Sequence, residues 1–247
     1  MWSKLRSLAR RLRGERRESL EEWAARHGEV VRQGVERILP HLPEEGLLVD
    51  VGANIGLFTE AVLAQRPGLR ALCFEPVERY HTLCAERFQD DPRVEVHRLA
   101  LSDAVEERTI FKVAHNYGGN SVVTELIHDD RDNARIFPET EVEEETIQCT
   151  TWDTFAQEHG IEEVAFVKTD TEGFDYAVLK GLVPFLERTG QRPPILSELL
   201  NREFHTRWAE QDAVVRQLFE IGYAEQDLSS MEWIADILFL PAESGNA

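Results

Sequence analysis

Val49-Asp50-Val51-Gly52-Ala53-Asn54-Ile55-Gly56-Leu57-Phe58-Thr59 is the stretch whose reading decides the fold. An apolar run, Leu47 to Val49, ends in an acid and breaks into a loop with glycines four residues apart. A helical pattern of Leu57, Phe58, Ala61 and Val62 follows at once. Strand, glycine turn and helix make the opening unit of a nucleotide-type α/β sheet. Glycine lets a ligand approach the backbone closely, and the helix start offers unpaired N–H groups. Asp50 at such a turn is a poor neighbour for a pyrophosphate and a good one for a cation or an ammonium. The loop therefore reads as a cradle for an amino-acid-bearing nucleoside, S-adenosyl-L-methionine, rather than for NAD.

The next unit strengthens this reading, because a GxxxG turn alone is looser than the dinucleotide fingerprint GxGxxG. Ala71-Leu72-Cys73-Phe74 is a second buried strand and ends in Glu75-Pro76. An acid about 20 residues beyond the glycine turn is placed to accept hydrogen bonds from a ribose diol. Pro76 ends the strand and suits the start of a helix. Asp50 and Glu75 are expected side by side at the carboxyl edge of adjacent parallel strands, where open α/β sheets bind ligands.

The chain has 247 residues, enough for one α/β domain and an N-terminal extension. No apolar run approaches the roughly 20 residues needed to span a bilayer. Cys73, Cys84 and Cys149 show no CxxC spacing and cannot all pair, which predicts a reducing, cytoplasmic setting. The net charge of −19 is unevenly spread. Residues 1–17 hold seven basic side chains against Glu15, a net +6, so the remainder carries −25. An acidic body repels phosphates and argues against general nucleic-acid binding. In the arm, Trp2, Leu5, Leu8, Ala9 and Leu12 recur at helical spacing with arginines between them. That pattern suits a solvated or domain-packing helix, or one docked on the inner face of an anionic membrane or on an acidic partner. The oligomeric state stays open.

Residues 1–45 are expected to form this basic helical extension, with further helices carrying Leu20, Trp23, Val31, Val35 and Leu39. Residues 46–241 then form the domain: strand 46–51, helix 56–66, strand 70–75, helix 77–89 and a third strand from Arg93 to Leu101. Strand–helix alternation of this kind predicts a doubly wound, mostly parallel sheet. Residues 102–150 break the rhythm as an insertion: an extended piece at 109–113, a turn at 116–121, a solvated acidic run Glu143-Glu144-Glu145 and a strand at 146–149. The pattern resumes with a short helix at 152–159 and the strand Val164–Val167. Next come the acid-rich turn Lys168 to Asp175 and a helix with Tyr176, Leu179 and Leu182. A strand at 194–198 ends in Glu198, a helix spans 208–221, and segments 223–228 and 233–240 close the sheet as antiparallel strands.

With these pieces in order, the chain resembles the FkbM family of S-adenosylmethionine-dependent methyltransferases. The resemblance rests on Val-Asp-Val-Gly-Ala-Asn-Ile-Gly at 49–56, Phe-Glu-Pro at 74–76, Ala-Leu-Ser-Asp at 100–103 and Gly-Gly-Asn-Ser at 118–121. It continues with Lys-Thr-Asp-Thr-Glu-Gly-Phe-Asp at 168–175, Leu-Lys-Gly at 179–181 and Leu-Ser-Glu at 196–198. It covers about residues 46–200, with one departure at Asp175, where the family more often has glutamate. The resemblance implies a Rossmann-like class I fold with a seven-stranded, mostly parallel sheet and helices on both faces. It also implies O-methylation of a sugar, glycolipid or other secondary metabolite.

Strand-end geometry distributes the roles. Asp50, Gly52, Asn54 and Gly56 are expected to hold the methionine part, Glu75 the ribose, and Ser102 and Asp103 the adenine edge, with Asp170 also against the cofactor. An attacking alcohol needs a base within hydrogen-bond reach. Asp170, Glu172, Glu198, His205 or His128 could serve. In a second, less favoured scheme Asp170 and Glu198 hold Mg²⁺ and lower the acceptor's pKa. A structural alternative has Glu172 capping the helix start and pairing with Lys168. The rival functions are a nicotinamide oxidoreductase, a nucleoside-binding protein without methyl-transfer activity, and an RNA methyltransferase. The first lacks its GxGxxG, and the last lacks an Asn/Asp-Pro-Pro-aromatic motif after strand four.

Overall fold

The computed structural model describes residues 19–113, 120–121, 142–203, 205–228 and 234–242. The basic arm, the turn from Asn116 to Gly119 and His128 lie outside the described residues, and so do the expectations placed on them. The first described helix, α1 (Leu20–Ile38), starts from a capping box. The Ser19 hydroxyl accepts from Glu22 N at 3.2 Å, and the Glu22 carboxylate accepts from Ser19 N at 2.9 Å. Its later turns bury Val35 and Ile38 against Leu48, Ala53 and Val62, so α1 packs onto the sheet layer.

The alternating units are β1 (Glu45–Val51), α2 (Leu57–Gln65), β2 (Gly68–Phe74), α3 (Glu78–Phe88) and β3 (Val94–His97). A second group contains β4 (Ala100–Leu101), β5 (Glu106–Val113), β6 (Asn120–Ser121) and β7 (Val142–Thr150). The chain returns to the main sheet through α4 (Trp152–Glu158), β8 (Phe166–Thr169), α5 (Asp175–Thr189) and β9 (Ile195–Leu200). It ends with α6 (Trp208–Glu220), β10 (Tyr223–Asp227) and β11 (Ile234–Pro241). The main sheet runs β10-β11-β9-β8-β1-β2-β3, seven strands that are parallel except for β11, which is antiparallel to both neighbours.

Side-chain alternation explains why helices cover both faces. Val49, Val51, Leu72, Phe74 and Val167 point to one layer, with α4, α5 and α6. Leu48, Ala71, Cys73 and Phe166 point to the other, with α1, α2 and α3. The central strands β1, β2 and β8 place apolar side chains on both faces. The chain winds outward from β1 to β3, then jumps back to β8 beside β1. This switch point opens a crevice at the carboxyl ends of β1 and β8.

Two sequence expectations change. The third strand ends at His97, and Ala100–Leu101 passes into a separate four-stranded sheet, β4-β7-β5-β6, parallel to Cys149–Thr150. The break falls at Arg98, whose guanidinium reaches Glu145 at 3.2 Å and Glu78 at 3.5 Å. The acidic run at 143–145 belongs to β7, and its members differ in surroundings. Glu143 and Glu144 face solvent, whereas Glu145 accepts from Glu78 N at 2.9 Å and so caps the start of α3 from a distant strand.

Candidate active site

The crevice is a cavity lined from several parts of the chain, among them Tyr80 of α3 and Glu198 of β9. The β1–α2 loop gives Gly52, Asn54 and Ile55, and the end of β2 gives Glu75, Pro76 and Val77. The second sheet gives Leu101, Ile110, Ile147 and Cys149; the β8–α5 turn gives Lys168, Asp170, Thr171, Glu172 and Phe174. Helix α1 contributes Trp23, His27 and Val31. Its two ends differ in character. One is apolar (Val77, Tyr80, Leu101, Ile110, Ile147), and the other carries Asp170, Glu172 and Glu198.

Backbone geometry shapes the rim. Gly52, Asn54 and Gly56 all take left-handed conformations, with φ of 72°, 50° and 83°. Gly52 is obligatory for a second reason: a Cβ there would overlap the Asp170 carbonyl oxygen. Glu172 also has positive φ, 54°, followed by Gly173 at 89°. Asn54 and Glu172 are the two non-glycine residues with positive φ among the described residues, and both line the cavity. Such backbone strain concentrates at binding sites.

Glu75 is buried, and both carboxyl oxygens accept main-chain bonds, from Asn54 N and Val77 N at 2.9 Å each. Burial pushes its pKa up to about 7, against the pull of those two donors and of Lys168. A carboxylate still has lone pairs to offer after two such bonds.

Asp50 is placed differently from the expectation. It is fully buried beneath the loop and does not line the cavity. Its parity on β1 is that of Leu48, so it points under α2. There Thr59 Oγ1 donates to it at 2.7 Å, and Lys168 Nζ lies 3.2 Å away. The register pairs Asp50 with Lys168 across β1 and β8, so the cation that this acid awaits is supplied by the chain itself. Lys168 also donates to the Val51 and Gly52 carbonyls at 3.3 and 3.0 Å and lies 3.6 Å from Asp170. Burial works against its charge, but Asp50 and Asp170 outweigh it and hold Lys168 above the usual lysine value.

The acid end is crowded. Burial, then the charges of Asp170 and Asp175, raise Glu172 well above the carboxylate range. Glu198, in register with Asp236, is pushed up to about 10 by burial and by Asp170, Glu172, Asp175 and Asp236. Asp175, buried at the start of α5, is raised to about 6 by burial and Asp170. Asp170 is the most open of the group, its side chain 43% exposed.

Ser102, Asp103 and His205 fall outside the cavity lining. Ser102 N donates to the Thr150 carbonyl, and its hydroxyl donates to Asp103. Asp103 is held by Lys180 at 2.8 Å and Arg108 at 3.3 Å. Gly181 completes this junction, because a Cβ there would overlap the Ser102 carbonyl oxygen. The motifs at 100–103 and 179–181 thus lock α5 against the second sheet. His205 is buried beside Tyr176, ring centroids 5.4 Å apart, and its Nδ1 accepts from Arg207 N. The apolar end of the cavity is where an adenine would fit instead.

The sequence reading passed over Trp23 and His27. The available signal was the spacing of Trp23, His27 and Val31, one helical stripe four residues apart. Their rings stack at 4.7 Å and 13°.

Residues 50–225 match the FkbM domain of methyltransferases. A 69-residue stretch, 28% of this chain, is 41% identical to the AMB antimetabolite synthetase AmbE of Pseudomonas aeruginosa and spans 3% of it. Among solved structures, methyltransferase FkbM of Methylobacillus flagellatus aligns with a TM-score of 0.50 at 17% identity, over 79% of this chain and 44% of that one. The chain thus spans less than half of that structure and a small part of the synthetase.

Proposed function

The chain belongs to the FkbM methyltransferase family, and from that premise we propose that it methylates a hydroxyl oxygen of a sugar, glycolipid or other secondary metabolite. The family implies S-adenosylmethionine as cofactor. The observation that carries the reading is one cavity at the switch point lined by an apolar cluster, the buried carboxyl of Glu75, and the acids Asp170, Glu172 and Glu198.

The residues fit that cofactor. Val77, Tyr80, Leu101, Ile110 and Ile147 would enclose the adenine, and Glu75 would accept from the ribose hydroxyls. Gly52, Asn54 and the acid end would face the amino-acid part and the cation. When bound, S-adenosylmethionine supplies a methyl group already activated by its sulfonium. The protein's own task is alignment, which can remove several kcal/mol of barrier, and handling of the acceptor's proton. Asp170, exposed at the rim and steadied by Lys168, would hydrogen-bond the attacking hydroxyl. Glu172 and Glu198, whose proton affinity is raised by burial and by neighbouring acids, would hydrogen-bond other hydroxyls of a polyol.

A divalent cation fits poorly. No group of three or more His, Cys, Asp or Glu side chains placed to hold an ion occurs among the described residues. No step is assigned to one.

Two measurements test the reading. Calorimetry should show S-adenosylhomocysteine binding and no binding of NAD. Methyl-labelled donor offered with a panel of methyl pyranosides and glycolipids should label some of them, at oxygen. Labelling confined to carbon or nitrogen acceptors would end the O-methyl reading.

The setting follows from simpler features. Three free, buried cysteines support a cytoplasmic location, and no helix among the described residues is long and apolar enough to cross a membrane. The +6 arm supports docking on an anionic membrane surface or an acidic partner. For the membrane, equal sedimentation with anionic and zwitterionic vesicles would rule that out.

A further inference from the structure

We propose that His27 receives the proton of the acceptor hydroxyl during methyl transfer and that Trp23 positions the His27 ring for that task. The inference rests on the methyl-transfer reading above and names the base within it.

Helix α1 precedes the matched domain of residues 50–225, yet three of its side chains line the cavity. The capping box fixes where the helix begins, and burial of Val35 and Ile38 in the core fixes its rotation. Trp23, His27 and Val31 are thereby turned into the cavity that the β8–α5 turn also lines, and the charges of Asp170 and Lys168 reach His27. The carboxyls of the acid end are poorly suited to the same task. Burial and neighbouring acids raise Glu172 well above the ordinary carboxylate value and push Glu198 up to about 10, and Asp170 lies 3.6 Å from the Lys168 ammonium. His27 is suited to it. Burial depresses its proton affinity below the ordinary histidine value, Asp170 pulls the other way, and Arg26 and Lys168 add to the depression. Its ring therefore sheds a proton more readily than an ordinary imidazole and offers a lone pair.

The step balances as follows. The acceptor oxygen attacks the methyl carbon, forming an O–C bond while the C–S bond breaks and leaves its electron pair on sulfur. The hydroxyl proton passes to a ring nitrogen of His27. The resulting imidazolium faces Asp170 and returns the proton to water. Trp23, stacked parallel to the imidazole, fixes its plane and keeps it from solvent.

The test uses the full chain, S-adenosylhomocysteine for binding, and methyl-labelled donor with methyl pyranosides for turnover. His27→Gln should keep the S-adenosylhomocysteine Kd within about twofold while kcat falls about 10²- to 10⁴-fold. The acid limb of the kcat profile should vanish with it. Added imidazole should restore part of the turnover of His27→Ala. Trp23→Leu should move that acid limb to higher pH, because the exposed imidazole regains proton affinity. A His27→Gln enzyme within about threefold of wild-type kcat, with its acid limb intact, would overturn the proposal. Wild-type protein that fails to bind S-adenosylhomocysteine would instead overturn the methyl-transfer reading. If the wild type labels none of the pyranosides, NMR titration of His27 in the S-adenosylhomocysteine complex decides. An imidazole that titrates below the ordinary histidine value supports the proposal, and one that titrates at or above it defeats it.

Discussion

Glu75→Gln isolates the energetic cost of the buried carboxyl at the centre of the cavity. Its folded pKa of about 7 stands above an ordinary value of 4.5. The folded protein therefore holds a proton there that the unfolded chain has released. Such a group contributes stability that is fully present below about pH 4.5, falls as pH rises through the interval to about 7, and then levels off. Between pH 5 and pH 8 the integrated loss is about 2.5 kcal/mol, or roughly 5–10 °C in Tm for a chain of this size. Glutamine cannot ionise, so the unliganded Glu75→Gln protein should lose that much less stability over the same interval. The difference between the two slopes cancels contributions from Glu172, Asp175 and Glu198. The substitution has its own pH-independent cost of about 1–3 kcal/mol, because the amide can accept from only one of Asn54 N and Val77 N. The assay is thermal or denaturant unfolding of both proteins across that range. S-adenosylhomocysteine should bind Glu75→Gln about 10²-fold more weakly, since two ribose hydroxyls lose a charged acceptor. Parallel stability curves for the two proteins would refute the assignment of a perturbed, buried Glu75.

Other expectations follow from the same geometry. Lys168→Met strands Asp50 without its cation and should cost about 3–5 kcal/mol in denaturant unfolding, with the double variant Asp50→Asn/Lys168→Met less damaged than the two losses summed. Gly181→Ala should cost about 1–3 kcal/mol by forcing α5 away from the Ser102 carbonyl, read as a lowered Tm with S-adenosylhomocysteine affinity preserved. Asp170→Asn should bind S-adenosylhomocysteine normally and lose at least about 10²-fold in kcat on any acceptor found; full turnover would remove Asp170 from the chemistry.

The doubly wound sheet was legible because both faces of β1, β2 and β8 are apolar, and the turns between them carry acids and glycines at fixed spacing. What local pattern could not reveal was pairing across strands. Asp50 looks available to a ligand when read along its own strand, and only the register with Lys168 shows that its charge is already matched. Ser102 and Asp103 stand at a strand end, yet their contacts with Gly181 and Lys180 brace α5, which local pattern could not show. Glu145 looked solvated within a charge run because its partners, Glu78 N and Arg98, are 67 and 47 residues away. Trp23 and His27 lay on a helix that precedes the glycine turn, where no motif directed attention. Their four-residue spacing was visible, but its direction depends on how Val35 and Ile38 seat the helix.

The contact between Gly52 and Asp170 has a consequence for order of binding. The two loops stand back to back: the Asp170 amide donates to the Val51 carbonyl, Lys168 ties down the Gly52 carbonyl, and the missing side chain of Gly52 is occupied by the neighbouring peptide. Neither loop can shift without carrying the other. Occupancy of the donor half should therefore be felt at the acceptor half, and linkage requires the effect to be mutual and equal in size. An enzyme built this way is expected to bind its two substrates cooperatively, the first to arrive stiffening the seat of the second.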